Sequence, residues 1–373
     1  MKNIILYAVI FSLGFIHLSC KEEVEIPITP CNEILDGWNI TSYSFPKVQA
    51  QNDMFFLNDE VGFSVGNSAT ILKTEDGGQT WRFLHYYRSL ETGTNPDAIT
   101  GAIFDAVYFI NDSVGFVGGH NFIVDTEMGA VFLRTIDGGN SWTKEYLNDI
   151  TEIKDFLFFD ELNGLGLFLV KQADSTYHNQ VRRTIDGGMH WDEISLTGAK
   201  LESNSFVTTP ARICFVASRG WNKNELWSSD DKGLTWKLSA LPDDVVQSIY
   251  FVNDQFGYAN CTPVNIPSGN FQTRDGGVTW MEVETPFTGW SVIHFANDLE
   301  GFVIDPVYDY FESGGEGYSF ITAYEGFQTS DGGVTWDKSV VKGNCEFDAA
   351  HHLSGNNNLY MLDYPVFTRF EKH

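Results

Sequence analysis

Thr74-Glu75-Asp76-Gly77-Gly78-Gln79-Thr80-Trp81 is one of six near-copies of a single phrase in this chain. The others run from Thr135 to Trp142, Thr184 to Trp191, Ser229 to Trp236, Thr273 to Trp280 and Thr329 to Trp336. Their common pattern is Ser/Thr-x-Asp-x-Gly-x-(Thr/Ser/His)-Trp, and the closing tryptophans stand 61, 49, 45, 44 and 56 residues apart. One match could be chance. Six in phase define a structural repeat of about fifty residues.

Each copy reads as a tight turn between two short strands. The Asp carboxylate and the Ser/Thr hydroxyl accept bonds from loop N–H groups that would otherwise be unpaired. This gives Asp76, Asp137, Asp186, Asp231, Asp275 and Asp331 a structural role. The glycines supply backbone angles closed to other residues. The fourth copy, Ser229-Asp230-Asp231-Lys232-Gly233, keeps only the second glycine, which assigns the positive-φ requirement to that position. The Trp offers a large flat side chain to bury against a neighbouring sheet.

A second element precedes the turns. Phe56-Leu57-Asn58-Asp59-Glu60-Val61-Gly62-Phe63 recurs at Phe109 to Phe116, Phe251 to Tyr258 and Phe295 to Phe302, with a looser version at Phe159 to Leu167. It reads as strand, Asn-Asp turn, Gly, strand. The two elements together predict four strands per repeat, A to D, with the Asp-containing turn between C and D. Four-stranded antiparallel units stacked radially make a β-propeller. The repeats resemble the Asp-box, or BNR, family, and the paired motifs are most similar to the photosystem II assembly/stability factor-like propellers. The likeness covers roughly residues 37 to 372. It implies the fold strongly and the function weakly.

Six boxes give six blades, and the chain then adds strand-like runs at Phe347 to Leu353, Leu359 to Asp363 and Val366 to Phe370 with no further box. Near the N-terminus, Trp38 to Phe45 looks like a box tryptophan with its D strand. Joining that segment to the three C-terminal runs makes a seventh blade and hides two sheet edges. The expectation is therefore an all-β, seven-bladed propeller over residues 37–373, its last blade closed by an N-terminal strand, with six blades plus tails as the alternative.

Residues 1–19 have the layout of a secretory signal: Lys2, then an apolar run from Ile4 to Leu18 ending in Ser19-Cys20. The run before Cys20 resembles a bacterial lipobox, with His17 where Leu is usual. This marks Cys20 for lipidation and residues 20–36 as a tether. Lys21-Glu22-Glu23 is similar to the surface-export signal of Bacteroidetes lipoproteins. The expectation is an exported protein, lipid-anchored to a bacterial outer membrane on its cell-surface or periplasmic side. Cys31 and Cys345 flank the ring closure; a bridge between them is conceivable, although they should approach the last blade from opposite faces. Cys214 lies mid-strand and reads as a small buried hydrophobe.

With 50 acidic and 23 basic residues, the net charge is −27. Such a field repels nucleic acid and anionic membranes and attracts cations or basic partners. The only membrane contact expected is the lipid anchor.

If boxes and A–B turns share one face, the B–C and D–A connections share the other. The insertions fall there: Tyr86 to Thr100, His120 to Gly129, Lys171 to Asn179, Arg219 to Asn224 and Asp305 to Gly326. Variable loops on a rigid scaffold are where binding concentrates. The longest alternates acids with aromatics from Asp305 to Tyr318, which suits a peptide or a sugar ring, or a set of aromatics packed on one another in an extended hairpin. Tyr308, Tyr310, Tyr318, Trp221, Trp290, Tyr87 and Arg88 are the candidate ligand-binding residues. Asp305, Asp309, Glu312 and Glu316 supply oxygens for Ca²⁺, with no fixed ligand order. No other cofactor is expected. Histidines offer no metal spacing: His120 has no evident partner, and His351 and His352 point to opposite faces of a strand.

No catalytic constellation emerges. Sialidases with Asp-box repeats resemble one another in a three-arginine site that these nine arginines, without an Arg-Ile-Pro motif, do not reproduce. Xyloglucan-cleaving enzymes set two acids across a cleft between two propellers, and here there is one. The reading is a non-catalytic binding or assembly module for a protein or glycan, with a glycan-active hydrolase or lyase on the loop face as the alternative.

Overall fold

The repeat phrase becomes an antiparallel sheet each time it occurs. In the first repeat the strands are Gln51–Phe56, Gly62–Gly66, Thr70–Thr74 and Arg82–His85. The structure, a computed structural model, describes residues 38–45, 50–85, 102–121, 129–196, 200–201, 206–218, 224–242, 245–262, 269–287, 292–313, 316–339, 351–355, 358–363 and 366–372. These residues form five four-stranded sheets and one of nine strands, and contain no helix.

The second, fifth and sixth repeats are separate sheets that begin at Ala102–Phe109, Val245–Phe251 and Val292–Phe295. The third and fourth repeats are joined into the nine-stranded sheet. A two-residue strand, Lys200–Leu201, pairs with Asn179 on one side and with Ala217 and Ser218 on the other. That strand lies in the connection between the two repeats, and it gives their facing edges a shared backbone partner.

The sixth sheet carries the longest strands, Gly301–Ser313 and Glu316–Thr329. They pair from Gly301↔Thr329 to Ser313↔Glu316, with one register shift after Val307. The long insertion is thus a regular two-stranded hairpin, despite its Pro306.

The chain ends meet in the remaining sheet. Trp38–Ser44 pairs antiparallel with Val366–Lys372, Trp38 opposite Lys372 and Ser44 opposite Val366, followed by Asn358–Asp363 and His351–Gly355. The N-terminal strand covers the edge of the last C-terminal strand, which would otherwise present unpaired backbone groups.

Separate apolar cores lie between successive sheets. Phe63, Val65 and Ile71 of the first sheet pack with Phe104, Val107 and Phe109 of the second. Phe116 and Phe132 of the second pack with Phe156, Phe158 and Trp191 of the third. Further cores follow: Leu165 and Val181 with Phe215 and Trp227, Cys214 and Leu226 with Phe251 and Cys261, and Tyr258 with Phe295 and Phe327. At the join, Phe45 packs on Met54 and Phe56 of the first sheet, while Phe370 stacks on Phe302 of the sixth with centroids 5.2 Å apart. The terminal sheet therefore touches both the first and the last repeat. Cys214 and Cys261 are buried thiols in the core between the fourth and fifth repeats, Cys214 as a small hydrophobe. Cys31 and Cys345 lie outside the described residues.

The repeated residues explain these contacts. A Cβ on Gly62 would sit 2.6 Å from the ring of Phe56, and one on Gly115 2.3 Å from Phe109. The Phe and the Gly thus form a ring-over-backbone pair, which recurs as Gly164 on Phe158, Gly257 on Phe251 and Gly301 on Phe295. In the box, both glycines take positive φ, such as 71° and 94° at Gly77 and Gly78. This corrects the expectation that only the second position carries the requirement. The fourth box meets it with Lys232 at φ 59°. The first glycine lies against the A–B turn: Gly77 N–H donates to the carbonyl of Glu60, Gly138 to Ser113, Gly187 to Leu162, Gly276 to Gln255 and Gly332 to Leu299. The two repeated phrases are bonded to each other, which places A–B turns and boxes on one face.

Candidate functional site

The box turns satisfy themselves. Asp76 Oδ1 accepts the Thr80 N–H at 2.8 Å and its Oδ2 accepts the Thr80 hydroxyl at 2.6 Å, while Thr74 donates to Oδ1 at 2.8 Å and accepts the Gly78 N–H at 2.8 Å. Asp137 makes the matching bonds with Ser141 and Thr135, and Asp186 with His190 and Thr184. Asp231, Asp275 and Asp331 do the same with Thr235, Thr279 and Thr335. Hydroxyl and N–H donors hold these last three carboxyls down at about 2. Every carboxylate oxygen in the turn is thus already in use.

The other face differs. In the first sheet, the B–C turn at Asn67–Thr70 puts Ser68 and Ala69 at φ 58° and 54°. Two non-glycine residues in succession at left-handed angles store backbone strain, which often accompanies function. Asn67 Oδ1 accepts a bond from Asn52 Nδ2, which also donates to the Phe104 carbonyl and to Asp105 Oδ1.

Asp105 leads to a cluster that the sequence did not announce. It occupies the β-bulge between Phe104 and Ala106, a distortion that re-aims a side chain. Its Oδ2 lies 2.6 Å from His120 Nδ1. Glu152 arrives from the third repeat, at the start of its A strand. Ligand atoms of Asp105, His120 and Glu152 all fall within 4.8 Å of one another, and each side chain is partly buried. His120 does have partners, contrary to the sequence reading; they come from an adjacent strand and from the next sheet. Lys154 Nζ stands 3.4 Å from Glu152 Oε1.

The electrostatics are those of a half-dry polar pocket. Burial pushes the Asp105 carboxyl upward against the opposing pull of His120, while the bond to Asp105 raises His120. Two further carboxyls stand close by. Burial drives Asp53 up to about 8 against the lowering effect of its N–H donors, with Asp155 and Asp105 adding repulsion. Asp155 is driven by burial to about 7. Both carboxylates bridge repeats: Asp53 Oδ2 accepts Val107 N–H at 2.8 Å, and Asp155 Oδ2 accepts Phe206 N–H at 2.7 Å.

The residues singled out from sequence are placed as follows. Tyr308, Tyr310 and Tyr318 lie on the long hairpin, opposite Ile321, Ser319 and Phe311 respectively. Tyr87, Arg88, Trp221, Trp290 and Cys20 lie outside the described residues. Among the proposed Ca²⁺ ligands, Asp305 is buried in the sheet, and Asp309, Glu312 and Glu316 follow on the hairpin strands. The Asp105 cluster shows a pattern only once the strand registers are known. Polar Asn52, Asp105 and Lys154 occupy bulges at matching places in the first three A strands.

Sheets built of Phe–Gly pairs and box turns, packed in succession, define a BNR-type β-propeller. This chain is similar to the photosystem II assembly factors: the family model described as photosynthesis system II assembly factor YCF48 matches residues 33–149. The photosystem II assembly lipoprotein Ycf48 of Synechococcus sp. (strain CC9902) is 23% identical over 299 residues, covering 78% of this chain and 75% of that one. Among solved structures, YCF48 bound to D1 peptide superposes with a TM-score of 0.63 at 16% identity, over 91% of this chain and 96% of its own. YCF48 from Cyanidioschyzon merolae gives 0.60 at 16% identity, over 90% and 99%.

Proposed function

We propose that this protein is a non-catalytic assembly or binding module that holds a protein segment on the face opposite its boxes. The observation that carries the reading is the likeness to Ycf48 across most of the chain, one structure of which is described as bound to D1 peptide. The photosystem itself is not carried over with it. A rigid ring with self-satisfied turns on one face and polar, strained, insertion-bearing backbone on the other is suited to presenting a surface.

The proposed ring has seven blades across residues 37–373, the third and fourth being the halves of the nine-stranded sheet and the seventh the terminal sheet. The succession of inter-sheet cores, with Phe45 and Phe370 at the join, supports this count. Residues 1–19 are proposed as a signal and Cys20 as the lipidated residue, with 20–36 as the tether to a bacterial outer membrane. The name of the Synechococcus relative, a lipoprotein, supports the anchor.

The test is a parallel screen of the mature chain on extended-peptide and glycan arrays. The expected result is peptide binding that Tyr308→Ala with Tyr310→Ala weakens and that Ile136→Ser on the box face leaves intact. Binding to glycans alone would transfer the partner to a sugar, for which acids alternating with aromatics on the hairpin are also suited. Peptide binding lost only with the box-face change would reverse the assignment of faces.

A further inference from the structure

We propose that Asp105, His120 and Glu152 form a binding site for one divalent transition-metal ion, Zn²⁺ being the natural probe, between the second and third repeats. One imidazole nitrogen and two carboxylate oxygens, all within 4.8 Å of one another, are a donor set that a Zn²⁺ or Co²⁺ ion can draw in to bonds of about 2.0–2.2 Å. The mixed nitrogen–oxygen set favours such ions over Ca²⁺, which takes oxygens alone. Three features go beyond a chance meeting of charges. Asp105 projects from a β-bulge, its Oδ1 accepts a bond from Asn52 Nδ2 at 3.3 Å, and its Oδ2 faces His120 Nδ1 at 2.6 Å. An outer partner of this kind orients metal ligands. The fold itself does not require these side chains, because the A strand of the sixth repeat begins at Val292 and carries no acid before Phe295.

In the metal-free protein the His120–Asp105 hydrogen bond holds a proton between two ligand atoms, and Lys154 Nζ stands 3.4 Å from Glu152 Oε1. Metal binding displaces that proton to solvent and leaves Lys154 to turn outward. The ion would join two repeats, so it should stabilise the ring as any native-state ligand does. This site is independent of partner binding and of the lipid anchor.

The test is calorimetric titration of the untagged mature chain with ZnCl2 after chelator treatment, repeated with CoCl2 while following visible absorption. One equivalent is expected to bind with release of protons and a rise in Tm, while CaCl2 is at least tenfold weaker. Glu152→Gln and His120→Gln should each weaken Zn²⁺ binding by at least about 10-fold, the smallest loss usual even for an outer partner of a metal ligand. Lys154→Met should strengthen it. Circular dichroism checks that each variant is folded; Glu152→Gln, on a partly exposed residue, decides the matter if His120→Gln does not fold. No saturable binding, or one equivalent bound equally by wild type and Glu152→Gln, overturns the proposal.

Discussion

Asp53 Oδ2 accepts the backbone N–H of Val107 at 2.8 Å, so a carboxyl of the first sheet ties down the backbone of the second. Asp155 repeats the arrangement with Phe206, between the third repeat and the fourth. Burial raises these carboxyls to about 8 and about 7, against about 3.9 in an unfolded chain. The folded state therefore holds a proton that the unfolded state releases at lower pH. Their contribution to stability is complete below about pH 4 and is lost as pH rises through 7 and 8. The box carboxyls act with the opposite sign. Asp231, Asp275 and Asp331, held at about 2, lose their contribution as pH falls from about 4 towards 2. Tm is expected to peak near pH 4 and to fall along an alkaline limb from there to about pH 8. Asp53→Asn with Asp155→Asn should flatten the alkaline limb whatever it does to Tm itself. An alkaline limb of unchanged slope in the double variant would show that these carboxyls are ionised throughout.

Thr273 tests the box turn more directly than its Asp. Its buried hydroxyl donates to Asp275 Oδ1 at 2.8 Å and accepts the N–H of Gly277 at 2.8 Å. Thr273→Val keeps the shape and leaves that buried N–H without its acceptor, a loss of about 1–3 kcal/mol. Urea denaturation should show the midpoint shifted down with an unchanged slope. The exposed Thr279→Ala, which removes one bond at the turn surface, should cost less than half as much.

How much of this was legible in the sequence depended on how far apart the partners lie along the chain. The Thr–Asp–Gly–Gly–Trp turn and the Phe56–Gly62 pair are local, and their chemistry can be read from consecutive residues. The terminal sheet was legible by counting, since Trp38 lacked a box and Val366–Lys372 lacked a partner strand. The Asp105–His120–Glu152 cluster was not. Its members come from three strands, and the bulge at Asp105 that brings them together is a register shift no spacing rule reports. The hairpin of the sixth repeat was visible as an insertion, but its alternating acids and aromatics suit a binding loop as well as an extended hairpin, so its pairing from Gly301 to Thr329 was one of two open readings. The bridging strand Lys200–Leu201 is simply too short to show a period.

The two glycines of a box should respond very differently to substitution from Lys232, which stands in for one of them. A Cβ on Gly333 would lie 1.6 Å from the hydroxyl of Tyr258, at φ 75°. Tyr258 is almost wholly buried, and its hydroxyl accepts a bond from Gln272 Nε2 at 2.6 Å, so it cannot yield cheaply. Gly333→Ala is expected to cost about 3 kcal/mol or more, by overpacking combined with backbone strain. Lys232→Gly relieves a left-handed residue of about 1 kcal/mol of strain. It gives up a cation–π contact with Phe159 at 5.4 Å, worth about 0.5–1 kcal/mol at an exposed site. Its Tm should be no lower than that of the wild type. Thermal melts of the two variants side by side provide the check, and a Lys232→Gly protein that melts several degrees early would mean that the lysine side chain, rather than the turn, sets stability there.

Closure of the ring makes the strongest mechanical prediction. Phe370 is fully buried, stacks on Phe302, and belongs to the strand that Trp38–Ser44 covers. Phe370→Ala should cost about 3–5 kcal/mol, the usual penalty for emptying a buried aromatic site. Deleting residues 1–44 acts differently, because it strips Val366–Lys372 of its hydrogen-bonded neighbour along seven register pairs. An uncovered strand of this length is a template for pairing with another chain. The truncated protein is therefore expected to elute as dimers or larger species on size-exclusion chromatography, while Phe370→Ala remains monomeric wherever it is folded. Adding a synthetic peptide of sequence WNITSYS in excess should return the truncated protein towards monomer. A truncated protein that stays monomeric with an unchanged Tm would show that the chain ends do not depend on each other.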